Sequence, residues 1–163
     1  GIIPLGTGND WGNDLVIQPD GKIILAGGSL NANVDFGLVR YNANGTLDGS
    51  FGAGGKVMTD LRGAEDWGAA VVRQPDGKIV VAGHSSNGAN TDFALVRYNG
   101  ADGSLDTSFG SGGKVYTAIG PGDEKGQAAA LQPDGKIVVA GFAQNGSNIF
   151  FNDELELRKQ FLW

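Results

Sequence analysis

The chain has 163 residues, of which 40% are hydrophobic and 29 are glycine. The hydrophobic share is large enough for a folded core, and the glycine share, more than twice the usual value of about 7%, predicts many turns. The net charge of −6 argues against a nucleic-acid partner, and the absence of cysteine excludes disulfides and thiolate metal sites. We also expect no membrane insertion, because no apolar run reaches the roughly 18 residues that a membrane span needs.

A ten-residue segment occurs three times along the chain. The segment QPDGKIVVAG is identical at residues 74–83 and 132–141, and a close variant, QPDGKIILAG, occupies residues 18–27. The copies start 56 and 58 residues apart, so each belongs to one supersecondary unit of a tandem repeat.

The middle copy predicts four short strands in succession. Residues 69–74 begin with small and β-branched side chains and are predicted to be extended, and the Pro-Asp-Gly turn at 75–77 joins them to a second strand at 78–83. A third strand is predicted at 92–99, and a short fourth strand at 114–117. No segment of this unit has helical periodicity, so the unit is predicted to be an antiparallel meander.

A sheet of this kind needs cover on both faces. The strand at 79–82 is continuously apolar, whereas a strand with one solvated face would alternate polar and apolar residues. Sheets arranged around an axis cover one another, so the predicted fold class is an all-β β-propeller with four-stranded antiparallel blades. Small residues at 69–70 and 128–130 suit the innermost strand, where space is narrow. A β-sandwich and an open solenoid are the alternatives.

The repeat spacing divides the chain, a single array over residues 1–163, into about three blades. Residues 1–5 are expected to form the outer strand of a split blade, residues 13–60 the first blade and residues 69–118 the second blade. Residues 127–163 would form an incomplete third blade, because no counterpart of the fourth strand follows the last repeated segment.

Closure of the ring must involve more than these three blades. Propellers typically have four to eight blades, and an open array would leave sheet faces and strand edges unpaired. We expect a homodimer that forms one six-bladed ring, in which Ile2 and Ile3 complete the last blade of the partner. The alternative is that the chain is a fragment of a larger propeller protein.

The C-terminal tail departs from the repeat. Leu155 and Leu157 alternate with glutamates, which favours a third strand, although a short amphipathic helix over residues 153–161 is the alternative. The conformation of residues 142–163 is therefore left open. This end is expected to pack against another chain through its apolar side chains, which are Phe150, Phe151, Phe161, Leu162 and Trp163.

The repeated segments resemble a known repeat family. The series QPDGKIVVAG, DFALVRYN and DGSLDTSFGSGGKV is similar to the Delta-60 repeat, and the resemblance covers residues 1 to about 148. It implies a β-propeller-type fold in a bacterial protein that is extracellular or displayed at the cell surface. It implies no catalytic residues and no cofactor.

Three acidic residues, each followed by a large side chain, precede the predicted innermost strands. These candidate ligand-binding residues are Asp10 and Trp11, Asp66 and Trp67, and Glu124 and Lys125. An aromatic ring beside a carboxylate can stack on a sugar while accepting its hydroxyls, and repeated copies would give multivalent binding. The alternative is that the tryptophans fill gaps between blades.

Two further features complete the set of candidates. His84 is the only histidine, which argues against a multi-histidine metal site and leaves either a loop residue or a ligand contact. Arg97 is expected to form an ion pair between blades with a carboxylate such as Asp106. No metal site is predicted.

The sequence therefore predicts a non-enzymatic propeller module that serves as a binding or assembly scaffold and closes by self-association. The main alternative is a carbohydrate-binding lectin that uses the rim residues. A third possibility is a piece of a larger secreted propeller protein or enzyme. The expected partners are a second copy of the chain and a glycan or protein ligand.

Overall fold

The structure, a computed structural model, describes residues 4–145 and 148–152. In these residues eleven strands form three antiparallel sheets, in each of which strands that follow one another along the chain are paired. Sheet 1 contains β1 (Asp10–Ile17), β2 (Ile23–Leu30), β3 (Val34–Tyr41) and β4 (Lys56–Thr59). Sheet 2 contains β5 (Asp66–Arg73), β6 (Ile79–Ser86), β7 (Thr91–Tyr98) and β8 (Lys114–Thr117). Sheet 3 contains β9 (Glu124–Leu131), β10 (Ile137–Asn145) and β11 (Asn148–Asn152).

These sheets confirm the predicted all-β class and the four-stranded antiparallel meander. The third strand of sheet 3, β11, pairs with β10 from Gly141 opposite Asn152 to Asn145 opposite Asn148. The expectations for Ile2, Ile3, Leu155, Leu157 and residues 161–163 fall outside the described residues. The described part of the chain contains no helix with the length and apolar character needed to cross a bilayer.

The repeated Pro-Asp-Gly turn closes the first hairpin of each unit as predicted. In the middle copy, Gln74 donates its main-chain N–H to the carbonyl of Lys78 at 2.8 Å, and Gly77 donates to the carbonyl of Gln74 at 2.9 Å. Gly77 has a φ of +89°, a conformation that favours glycine because it has no Cβ. The turn is therefore formed by the local sequence.

The innermost strands begin three residues earlier than the sequence predicts. They start at the acidic residues Asp10, Asp66 and Glu124, which are thus part of the strands and do not precede them. The prediction missed this because a β-bulge interrupts the pairing, for example between Gly68 and Ala70. The bulge adds an unpaired residue and changes the strand's direction, so the segment before it does not continue the apolar pattern.

The last glycine of the repeated segment is required by the bulge. A Cβ on Gly83 would lie 1.8 Å from the carbonyl oxygen of Trp67, and a Cβ on Gly27 would lie 1.7 Å from that of Trp11. Contacts this short are sterically impossible. Any larger residue would separate the first and second strands.

The sheets pack face to face and bury two apolar cores. The core between sheets 1 and 2 includes Phe36 and Leu38 from sheet 1 and Val81 and Val96 from sheet 2. The core between sheets 2 and 3 is built from the opposite face of sheet 2 and includes these side chains: Val80, Leu95, Phe109, Ile137 and Val139. Sheet 2 is thus covered on both faces, which explains its continuously apolar strands.

A lysine, an arginine and an aspartate that recur in the first two units form a charged cluster. Asp106 accepts from Arg97 Nε at 2.8 Å and from Lys78 Nζ at 3.0 Å, and the Arg97 guanidinium lies 4.5 Å from the centre of the Phe109 ring. The expected ion pair is therefore present, but it joins residues of one unit and does not bridge two.

The same cluster recurs in the first unit, and there its arginine also reaches the next unit. Asp48 accepts from Arg40 Nε at 2.7 Å and from Lys22 Nζ at 2.9 Å. Arg40 Nη1 also donates to the carbonyl of Gly100 at 2.6 Å, which links the first unit to the second.

We predict that Gly83→Ala destabilises the fold by more than about 2 kcal/mol, because the added methyl group collides with the carbonyl of Trp67. Urea denaturation measures the change. Gly49→Ala is the matched control, since a Cβ there would have no neighbour within 4 Å, and its unfolding free energy should stay near that of the wild type. Equal effects of the two substitutions would contradict this explanation.

We also predict that Asp106→Asn lowers the unfolding free energy at pH 7 by about 1.5 kcal/mol or more, because charge-assisted hydrogen bonds are lost. Hydrogen bonds from Ser108 and Lys78 hold the pKa of Asp106 below its ordinary value of 3.8. Its stabilisation is therefore present above about pH 4 and declines as the pH falls towards the folded-state pKa.

The measurement for Asp106 is the difference between wild type and variant in urea denaturation from pH 7 to pH 2.5. This difference should narrow below about pH 4. Asp76→Asn, at an exposed turn, is the control and should give a small and constant difference. A difference for Asp106→Asn that stays the same over this range would contradict the assignment.

Candidate functional site

The acidic residue that begins β1 holds the loop that leads into the strand. Asp10 accepts the main-chain N–H of Leu5 at 2.8 Å and the Ser29 hydroxyl at 2.6 Å. Such bonds satisfy loop donors that would otherwise lack a partner. The hydrogen bonds lower the pKa of Asp10, although partial burial acts in the opposite direction. We call a bond of this kind, from an acidic residue to the loop before its strand, a loop clamp.

The other two acidic residues form the same loop clamp and are fully buried. Asp66 accepts the N–H of Leu61 at 2.7 Å, five residues earlier, and Glu124 accepts the N–H of Gly120 at 2.9 Å. Burial raises the pKa of both carboxyls. These carboxylates are thus engaged inside the protein, and the arrangement does not present them to a sugar.

The two tryptophans lie together at the inner end of sheets 1 and 2. The ring centres of Trp11 and Trp67 are 5.0 Å apart with a 45° angle between the planes, and both side chains are partly exposed. Trp67 also covers Gly28 of sheet 1, where a Cβ would be 3.3 Å from the indole. Trp67 therefore fills a gap between the sheets while keeping part of its ring accessible.

In the next unit, His84 and Lys125 occupy the positions equivalent to Gly28 and Trp67. Burial is the main cause that lowers the pKa of His84 to about 4, and the nearby Lys125 ammonium acts in the same direction. His84 is therefore neutral at pH 7. At the junction of sheets 1 and 2 the indole of Trp67 therefore lies against a glycine. At the junction of sheets 2 and 3 the ammonium of Lys125 lies near a neutral imidazole.

A cavity of about 270 Å³ brings some of these residues together. Trp67, His84 and Lys125 line it, with Asn13 and Gln127 contributing amide groups. Of the candidates predicted from the sequence, Asp10, Trp11, Asp66 and Glu124 are not among its lining residues. The site that the structure offers is therefore different in composition from repeated tryptophan and carboxylate pairs.

Sequence reasoning missed the two amide side chains of this cavity. Asn13 and Gln127 are at equivalent positions, directly after the glycine that follows Trp11 and Lys125, and Ala69 is their counterpart in the middle unit. The sequence did contain a sign of this site, because the residue after the conserved glycine of each innermost strand differs among the three units. Asn13 Nδ2 already donates to the carbonyl of Gly68 at 2.7 Å, so it also joins sheets 1 and 2.

The repeat units match a family profile. A profile described as a domain of unknown function (DUF5122) beta-propeller matches residues 18–51, 74–109 and 132–150, which together exceed half of the chain. No protein with a curated description matches the chain. The matched segments are those that resemble the Delta-60 repeat, and both descriptions denote a β-propeller-type repeat, but the more specific name is not confirmed.

Proposed function

The chain belongs to the DUF5122 beta-propeller family, a family without a known function, and from this premise we propose that it is a non-enzymatic binding or assembly module. Its propeller closes by self-association, with two copies contributing three blades each. The resemblance to bacterial repeats supports a location outside the cell or at its surface. The observation that carries the proposal is the exposure of apolar residues on the two end sheets.

Within the described part of the chain, the outer face of sheet 1 is exposed at positions that are buried in sheet 2. Leu15 is 52% exposed, whereas its counterpart Val71, which packs against sheet 1, is 3% exposed. Ile17, two residues further along β1, is 66% exposed. The side chains that point away from sheet 2 are therefore suited to contact another sheet.

At the opposite end of the array, sheet 3 shows the same difference in exposure from sheet 2. Ala140 on sheet 3 is exposed, whereas its counterpart Ala82, which faces sheet 3, is 1% exposed. The outer face of sheet 3 thus corresponds to the covered face of sheet 2.

The two end faces complement each other because they are the two sides of the same repeated interface. The outer face of sheet 3 in one copy would pack on the outer face of sheet 1 in another copy, as sheet 2 packs on sheet 1 within the chain. A two-fold pair forms two such contacts and closes a ring of six blades, a usual number for propellers. Further blades of a longer chain are the alternative occupant.

The absence of catalysis is supported by the roles of the titratable groups. Asp48 and Asp106 neutralise arginine and lysine side chains, and the acidic residues of the loop clamps accept main-chain amides. His84 is neutral beside Lys125. Each of the carboxylates has a structural partner that accounts for its placement.

We predict that the wild-type chain is a dimer of about twice 16.8 kDa and that Leu15→Asp converts it to a monomer. The introduced carboxylate would have to lose its water on an apolar interface, which costs more than the contact can supply. Light scattering coupled to size-exclusion chromatography measures the mass of both proteins.

Ile119→Asp is the control for the dimer test. Ile119 is 44% exposed in the loop between β8 and β9, so this variant carries the same charge change outside the strands of the two end faces and should remain dimeric. A monomeric wild type, or a Leu15→Asp variant that is still dimeric, would refute closure by self-association.

Carbohydrate binding is a second candidate function, and the cavity between Trp67 and Lys125 favours it. An accessible indole face supplies a stacking surface, while Gln127 and Lys125 supply hydrogen-bond groups that a sugar hydroxyl can use. The expected ligand is therefore a saccharide bound in this cavity and not at the clamped carboxylates.

We predict that any glycan bound on an array loses at least tenfold in affinity with Trp67→Ala, since the stacking surface is removed. Gln127→Ala should weaken the same glycan, whereas Gln132→Ala, outside the cavity, should not. Titration calorimetry with the glycan identified on the array gives the affinities. The absence of any glycan hit for the wild type would exclude the lectin.

A further inference from the structure

Three carboxylates meet where sheet 1 joins sheet 2. Asp35 is on β3, Asp60 follows β4, and Asp66 begins β5. One carboxylate oxygen from each residue lies within 4.8 Å of the corresponding oxygens of the other two. Asp60 is exposed, so the cluster is open to solvent on one side.

The carboxylate of Asp35 is buried without a partner. Its residue is 8% exposed, and its Oδ1 atom has no hydrogen-bond donor among the residues that the structure describes. No ion pair within the described part of the chain involves Asp35, Asp60 or Asp66. A buried ionised carboxylate without a partner is costly, so its position beside two further carboxylates indicates a missing positive charge.

In the second unit, an arginine side chain neutralises the position equivalent to this cluster. Asp92, the counterpart of Asp35, forms an ion pair with Arg62, whose guanidinium stacks 3.8 Å from the centre of the Tyr116 ring. Ala118 stands at the position of Asp60, and Glu124 at that of Asp66. This copy therefore contains two carboxylates and one guanidinium.

The first unit lacks that guanidinium because of a single residue difference. Leu5 and Leu61 donate to equivalent loop clamps, so the residue after each is also equivalent, and Arg62 corresponds to Gly6. The first unit thus replaces an arginine by glycine and an alanine by Asp60. Both changes make the same place more negative.

Burial is the main influence on the pKa values of the carboxyls in this cluster. Burial, followed by repulsion from Asp60, raises the pKa of Asp35, and burial also raises the pKa of Asp66.

We propose that Asp35, Asp60 and Asp66 bind a calcium ion between sheet 1 and sheet 2. Calcium takes six to eight oxygen ligands at about 2.3–2.6 Å, so two oxygens on one ion can be up to about 5.2 Å apart, and the 4.8 Å limit of the cluster fits. Water entering beside Asp60 supplies the remaining ligands. Magnesium fits less well because it requires near-ideal octahedral geometry at about 2.0–2.1 Å.

The ion takes the place in the first unit that Arg62 has in the second. It joins two residues of the first unit to Asp66, which clamps the loop between the sheets. Calcium thereby stabilises the junction between the two units. With three carboxylates and an open side, the expected dissociation constant is about 0.1–1 mM, as in extracellular calcium modules.

Titration calorimetry of the chelator-treated chain with calcium chloride at pH 7 tests the site. We expect one ion per chain and a rise in melting temperature of about 5 °C at a hundredfold excess over the dissociation constant. Asp60→Ala, which installs the residue of the second unit, should abolish both effects. Asp76→Ala, at an exposed turn, should keep both.

Asp35→Asn separates calcium binding from loop distortion, because the Asp35 side chain holds no loop donor. In chelator this variant should melt at or above the wild-type temperature, since repulsion is relieved, and it should not respond to calcium. Three results would overturn the proposal: no saturable calcium binding by the wild type up to 10 mM, unchanged binding by Asp60→Ala, or tighter binding of magnesium than of calcium.

Discussion

The need of each sheet for a neighbour on both faces governs this structure. Sheet 2 meets the requirement, because Val81 faces sheet 1 and Val80 faces sheet 3, and both are fully buried. Burial of about 25 cal/mol per Å² makes this face-to-face contact the largest favourable contribution to the fold. The hairpin turns, the bulges and the charged clusters all act to place flat apolar faces against each other. The outer faces of sheets 1 and 3 have the same requirement, so each needs a neighbouring sheet.

Local chemistry made much of the fold predictable. The turn at Gly77, the buried strand after it and the pair between Arg97 and Asp106 each follow from residue types at fixed spacing. The earlier start of β5 was not predictable, since a bulge interrupts the periodicity on which strand prediction depends. The loop clamp of Asp66 was also missed, because a carboxylate beside a tryptophan gives no sign in the sequence of whether it faces solvent or its own loop.

The candidate sites depend on contacts between units, which the sequence of one unit does not contain. The cavity residues come from three inner strands and from β6, and the acidic cluster combines Asp35 with residues 25 and 31 positions later. What the sequence did provide was a comparison among its own copies. Unchanged residues such as Gly83 serve the fold, whereas positions that differ, such as Gly6 against Arg62, mark where one unit has acquired a property of its own.

The loop clamp has a consequence for how such an array changes in length. Each unit begins with an acidic residue that binds the connection arriving from the unit before it, five residues upstream in the case of Asp66. A unit gained by duplication therefore brings its own attachment to the preceding one and needs no new residue there. Insertion or deletion of whole units therefore keeps the loop clamp at every junction. A deletion that ends inside a unit would remove either the acidic residue or the loop that it binds.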